Sequence, residues 1–175
     1  TGSSGSAGKI DKSCIIFAWE HPDVGLMSAK RGFKTVLCPG HKTYFDMAYN
    51  NSTYERGICW AATIEVKEVF EWKPVDGYSS NDLENILGIQ AQLWSETITN
   101  KNYFDEMINP RLAALAEIAW SSEAKRSWAN FRSSLKNNLG KNQFVCDESY
   151  HLSKEEIEKI IHCLLYTSDA ADEGL

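Results

Sequence analysis

The chemically unusual residues of this 175-residue chain are its six tryptophans, Trp19, Trp60, Trp72, Trp94, Trp120 and Trp128. For any one of them alone, core packing is the ordinary use. Six in so short a chain exceed routine packing. Aromatic rings lining a pocket are the usual platform for sugars, whose apolar ring face stacks on them. Acid–base chemistry would need carboxyls, and adjacent pairs occur at Asp105-Glu106 and Asp172-Glu173. Metal chemistry finds no support. His21, His41, His151 and His162 are scattered, and Cys14, Cys38, Cys59, Cys146 and Cys163 contain no C-x-x-C spacing. No metal and no cofactor are therefore expected. The cysteines read as small buried hydrophobes, with at least one thiol left free by their odd number. A formal charge of -6 argues against nucleic acid as a partner. No apolar run approaches the ~20 residues of a membrane helix.

The elements that would hold such a pocket begin with a continuous apolar run over 14–19, which suits a strand buried on both faces. A helix over 23–31 follows, ending at Gly32, and a second buried strand over 35–38 is stopped by Pro39-Gly40. Strand, short helix and strand within this length form a βαβ unit, whose crossover implies parallel strands. Residues 44–80 are looser, with turn formers at Asn50, Asn51, Ser52 and Gly57 and a possible helix over 61–70. A long loop after a strand in such a fold is normally functional.

A third buried strand is expected over 86–94. Helices follow over 103–107, over 111–120 with Pro110 at its start, and over 125–139 with Gly140 as its cap. Beyond Gly140 the character changes. Residues 141–165 hold a capping-box signal, Ser153 with Glu156, ahead of a further helix, whereas 166–175 are small, acidic and aperiodic and read as a non-native tail. Residues 1–13 read as a Gly/Ser-rich loop or cloning remnant, and 1–8 lack the basic-then-apolar order of a signal peptide.

Three segments together resemble family 20 glycoside hydrolases, most closely the bacterial chitobiase-like branch. They are Thr-Tyr-Phe-Asp-Met-Ala at 43–48, Gly-Ile-Gln-Ala-Gln-Leu-Trp-Ser-Glu at 88–96, and Pro-Arg-Leu-Ala-Ala-Leu-Ala-Glu-Ile-Ala-Trp at 110–120. Each is weak alone; in this order and spacing they are specific, and the likeness runs over about 14–139. It implies an α/β fold, the C-terminal portion of a (β/α)8 TIM barrel comprising about strands six to eight with their helices. Residues 14–140 would form this partial catalytic domain, with the site at the C-terminal ends of the strands.

The resemblance also implies chemistry. Many retaining glycosidases use a carboxylate nucleophile, but in this family the acetamido oxygen of the substrate attacks its own anomeric carbon. An enzyme acid protonates the leaving oxygen, and a neighbouring Asp orients the acetamido N–H. That Asp-Glu pair follows an H-x-G-G motif which nothing in this chain matches. Asp105-Glu106 lies in a helix approach and Asp172-Glu173 in the aperiodic tail, so neither is assigned catalysis.

By the same resemblance, Tyr44 would donate its hydroxyl to the acetamido oxygen as the one catalytic group here. Trp19 and Trp94 would wall the acetamido methyl, Asp46 and Glu96 would accept hydrogen bonds from ring hydroxyls, and Trp60 would stack on the sugar beyond the cleaved bond. Trp72, Trp120 and Trp128 are left to packing, and Arg111 and Glu117 to a buried structural ion pair. The implied partner is a carbohydrate ending in N-acetylglucosamine or N-acetylgalactosamine. Two rival readings stand beside this one: another retaining glycosidase with Glu96 as nucleophile, and a non-catalytic carbohydrate-binding module.

Overall fold

The computed structural model describes residues 10–138. Three short strands, β1 (Ile15–Ala18), β2 (Lys34–Leu37) and β3 (Ile86–Ile89), form a parallel sheet in the order β1-β2-β3. The predicted βαβ unit is present: helix α1 (Pro22–Lys30) connects β1 to β2. Its start is set locally. The His21 imidazole Nδ1 accepts from the Asp23 amide, proline stands in the first turn, and Asp23 faces the positive helix end. Gly32, at φ 77°, closes it in the left-handed region.

One expectation about the sheet is overturned. The strands read as buried on both faces, yet only one face is covered. Ala18, Thr35 and Leu37 are buried, and α1 comes so close that a Cβ on Gly25 would stand 2.4 Å from Leu37 Cδ2. On the opposite face, Phe17 pairs with Val36 and Ile15 with Lys34, and both Ile15 and Phe17 are exposed. Leu87 on β3 is exposed as well. Among the described residues no element covers that face, so the apolar character that gave the strands away is not satisfied within this sheet.

The third strand is also shorter than expected, because its partner β2 gives way to α2 (Gly40–Thr43). The chain resumes pairing one turn later through a parallel bridge between Tyr44 and Gln92. There the Phe45 amide donates to the Gln92 carbonyl at 2.7 Å, and the Gln92 amide to the Thr43 carbonyl at 2.9 Å.

The excursion from Tyr44 carries the main core. Its helix, α3 (Val66–Glu71), is shorter than the span expected from 61, because the preceding backbone is engaged elsewhere. The Ile64 amide donates to the Ala48 carbonyl at 2.9 Å, and the Ile64 carbonyl accepts from Arg111. Phe45, Met47, Ile64, Val69 and Phe70 pack against α6 (Arg111–Trp120) and α7 (Trp128–Asn138). Gly57 permits this fold-back: it sits at φ 105°, and a Cβ there would lie 2.7 Å from the Ala48 nitrogen and the Asp46 oxygen.

Helix α6 spans the expected residues, preceded by α5 (Lys101–Ile108). A 3-10 turn at Glu123–Lys125 displaces the start of α7 from the expected 125. Of the tryptophans left to packing, Trp128 stacks on Phe131 at 5.6 Å and Trp72 packs on the core, but Trp120 is 90% exposed. Gly140, segments 141–165 and 166–175, and residues 1–9 lie outside the described residues. No described helix is long and apolar enough to cross a membrane.

Candidate active site

The segment carrying Tyr44 and Asp46 leaves α2 at Tyr44, turns at once with the Met47 amide donating to the Tyr44 carbonyl at 3.1 Å, and is pinned on both sides. The bridge to Gln92 holds it toward the continuation of β3, while the Ile58 amide donates to the Asp46 carbonyl at 3.0 Å. The first bond draws the 90–96 segment in; the second draws in the loop bearing Cys59 and Trp60. Four aromatic rings gather as a result. Tyr44 meets Trp60 edge-on at 5.9 Å between centroids and Trp94 at 6.3 Å, and Trp60 meets Trp19 edge-on at 6.4 Å. Trp19, at the end of β1, is tied in through its carbonyl, which accepts from the Gly40 amide at 2.8 Å. A Cβ at Gly40 would press on Trp60 at 3.3 Å, so the small residue lets that indole lie close.

Exposure divides the cluster. The Tyr44 ring is buried, whereas Trp60 is 59% and Trp94 52% exposed. Large apolar rings held open to solvent around a buried phenol are costly unless something covers them. Burial raises the Tyr44 pKa, nearby Cys38 and Asp46 push it the same way, and the Trp94 indole offsets part. Its hydroxyl therefore stays a donor throughout the neutral range.

Asp46 is the more unusual group. It is 1% exposed, and neither carboxylate oxygen has a hydrogen-bond partner. Burial raises its pKa, and the like charge of Glu96 adds to this. Its own amide and that of Trp94, followed by Arg111, offset part of the rise. Glu96 itself is exposed. A buried carboxylate with empty acceptor sites is a standing cost to the fold, of ~1–3 kcal/mol for an unsatisfied polar group, and a ready acceptor for hydroxyl groups.

The sign of that cost is testable. A carboxyl whose pKa is raised by folding holds more protons folded than unfolded. Stability therefore falls as pH rises from the ordinary carboxylate value through the folded one. Asp46→Asn is expected to stabilise the domain at pH 7 by about 1 kcal/mol and to change stability little at pH 4. Thermal melts of the full-length protein at the two pH values check this; a lower melting temperature for the variant at pH 7 would contradict it.

All six residues singled out from the sequence are accounted for: Trp19, Tyr44, Trp60 and Trp94 form one aromatic cluster. Asp46 and Glu96 are near enough to interact electrostatically beside it. Among the described residues no group of three or more metal-ligating side chains occurs.

Comparison with known proteins bears on what such a cluster belongs to. The profile described as "Glycosyl hydrolase family 20, catalytic domain" matches residues 3–123. The chain belongs to this family. A β-N-acetylhexosaminidase of Cellulomonas fimi is 31% identical over 129 residues, 72% of this chain and 26% of that protein. A β-hexosaminidase of Vibrio furnissii is 36% identical over 110 residues, 62% of this chain and 18% of the relative. Among solved structures, the family 20 exo-β-N-acetylglucosaminidase of Vibrio harveyi, in complex with N-acetylglucosamine, aligns with a TM-score of 0.70 at 34% identity. That alignment covers 75% of this chain and 21% of the other. The chain thus spans about a quarter or less of the length of these family 20 proteins.

Two residues of this family 20 chain were not singled out as parts of the site. Gln92, inside the second motif, is the backbone anchor that joins the Tyr44 and Trp94 segments. Arg111 lies fully buried, as expected, with its guanidinium donating to main-chain carbonyls of Phe45, Met47, Ile64 and Met107. Sequence offers no signal for either contact, because each depends on which backbone groups a loop brings near.

Proposed function

We propose that this chain forms one wall of the sugar pocket of a β-N-acetylhexosaminidase. Such an enzyme removes terminal, non-reducing β-linked N-acetylhexosamine with retention, the substrate's acetamido group acting as nucleophile. The observation that carries the reading is the gathering of Trp19, Tyr44, Trp60 and Trp94 beside a buried, unpartnered Asp46 carboxylate. Membership of family 20 supports it further. In this reading the three strands are about the sixth to eighth of a (β/α)8 barrel, and residues 14–140 are the part of the catalytic domain held here.

The roles follow from the chemistry of each group. Tyr44 donates to the acetamido oxygen, aiming it at the anomeric carbon and stabilising the charge that moves through it as the five-membered ring closes. Trp19 and Trp94 restrain the acetamido methyl, a group otherwise free to rotate. Asp46 and Glu96 accept from hydroxyls on the far side of the sugar, which supplies the empty sites on Asp46 with donors. Trp60 stacks on the group beyond the cleaved bond. The proton for the leaving oxygen comes from the family's Asp-Glu pair, which no stretch of these 175 residues matches.

The test is the acetamido requirement of the full-length enzyme. Aryl N-acetyl-β-glucosaminide is expected to turn over, and the aryl β-glucoside with a hydroxyl in place of the acetamido group is not. Comparable turnover of both would replace substrate assistance by an enzyme nucleophile, for which Glu96 would then be the candidate.

A further inference from the structure

We infer that Arg111 is a positioning residue for the sugar pocket, acting through the backbone on either side of Asp46. The inference rests on the reading of Asp46 as a hydroxyl acceptor. Arg111 opens α6 and is fully buried. Its Nη2 donates to the Phe45 carbonyl at 2.6 Å and its Nη1 to the Met47 carbonyl at 2.8 Å. These are the two carbonyls that bracket Asp46. The chain turns at this point, the Met47 amide donating to the Tyr44 carbonyl at 3.1 Å, and the carbonyls on either side of Asp46 both reach the one guanidinium, leaving the carbonyl between them to a third donor. That middle carbonyl, of Asp46 itself, accepts from the Ile58 amide at 3.0 Å. The Asp46 backbone is thus gripped at three points, two of them by one rigid planar group.

The remaining donors of Arg111 fix the grip to the scaffold. Nη1 also reaches the Ile64 carbonyl at 3.2 Å, and Nη2 and Nε reach the Met107 carbonyl at 2.5 and 3.1 Å. The guanidinium lies 3.8 Å from the centroid of the Tyr49 ring. The Tyr49 hydroxyl in turn lies 2.8 and 2.7 Å from the carbonyl oxygens of Glu106 and Asn109, near the end of α5, and shares its one proton between them. Burying a guanidinium among carbonyls is expensive compared with an apolar residue of the same volume. That expense is understandable where a carboxylate with no partner of its own must nevertheless be held still. Backbone clamps hold the side chain's root without occupying its acceptor sites.

Arg111→Lys tests this, since lysine keeps the cation and loses the fork that reaches both carbonyls at once. The assay uses the full-length enzyme and aryl N-acetyl-β-glucosaminide, with and without Asp46→Asn. Asp46→Asn alone is expected to raise KM by ~10–100-fold, the scale for losing charge-assisted hydrogen bonds. Arg111→Lys alone is expected to raise KM by about 10-fold, because a displaced binding group is lost to ground and transition states alike. In the Asp46→Asn background the same change is expected to alter KM by less than about twofold, since its target is already gone.

A fall in kcat with KM unchanged, the signature of fewer folded molecules, would overturn the inference. So would an equal rise in KM in both backgrounds, which would mean that Arg111 acts elsewhere. Should Asp46→Asn leave KM untouched, the reading of Asp46 itself fails, and the inference with it. If Arg111→Lys does not yield soluble enzyme, Tyr49→Leu removes the ring beneath the guanidinium while keeping its N–H bonds. It is expected to raise KM less, by ~3-fold on the same scale, and again only where Asp46 is intact; no change in KM would overturn the inference.

Discussion

Replacing Tyr44 by Phe in the full-length enzyme is expected to lower kcat by ~10²–10³-fold, the scale for losing one oxyanion-type donor, with a much smaller change in KM. The split follows from where the hydroxyl acts. In the proposed role, its bond to the acetamido oxygen strengthens as that oxygen attacks and charge redistributes, so its loss would fall on the transition state. Phenylalanine preserves the ring that meets Trp60 and Trp94, at 5.9 and 6.3 Å, so the cluster itself should survive. Because burial raises the Tyr44 pKa, the phenol remains protonated across the working range. An alkaline limb in the rate profile therefore belongs to another group. Steady-state kinetics on an aryl N-acetyl-β-glucosaminide check the prediction; a rate within a few-fold of the parent removes Tyr44 from the mechanism.

The second large effect concerns the 175-residue chain by itself. Purified alone, it is expected to aggregate or remain unstable, and to release no measurable aryl leaving group. Two independent observations lead there. Ile15, Phe17 and Leu87 are exposed on a three-stranded parallel sheet whose outer strands, β1 and β3, each pair on one side only among the described residues. Exposed apolar faces and unpaired strand edges invite self-association. Separately, no H-x-G-G stretch is present to introduce the acid that must protonate the leaving oxygen. Clear turnover by the purified chain would show that the proton comes from a group within it, and the assignment of roles would have to be rebuilt. Size-exclusion chromatography beside the assay separates the two causes.

Much of this was readable in advance, for identifiable reasons. The βαβ unit announced itself through short apolar runs around a proline-started, glycine-ended helix, all of them local signals. Helix α6 was legible to the residue, because Ala and Leu propensities and the Pro110 start agree with its tertiary role. Tyr44, Asp46, Trp94 and Glu96 were singled out from two of the motifs and Trp19 and Trp60 from the resemblance alone, and the distances among Trp19, Tyr44, Trp60 and Trp94 show that these four rings lie together.

The failures were of the opposite kind. Residues 61–65 have helical character, yet the backbone of Ile64 among them is spent on Ala48 and Arg111, an arrangement set by a loop folding back through Gly57. Continuous apolar strands do not reveal which of their faces finds a cover, and Trp120 shows that a motif tryptophan on a helix can point to solvent. The empty acceptor sites of Asp46 were equally invisible, since no sequence pattern distinguishes a partnered carboxylate from an abandoned one.

The location of the main core constrains how this protein could be remodelled. The stretch after Tyr44 is no detachable ornament: Ile64, Val69 and Phe70 within it are the ballast against which α6 and α7 settle. Lengthening or grafting within that ballast would shift the foundation of the whole assembly. The tip around Tyr54, 73% exposed and shaped by tight turns after Asn50, carries none of that weight. Diversification that leaves the scaffold standing has its natural address there.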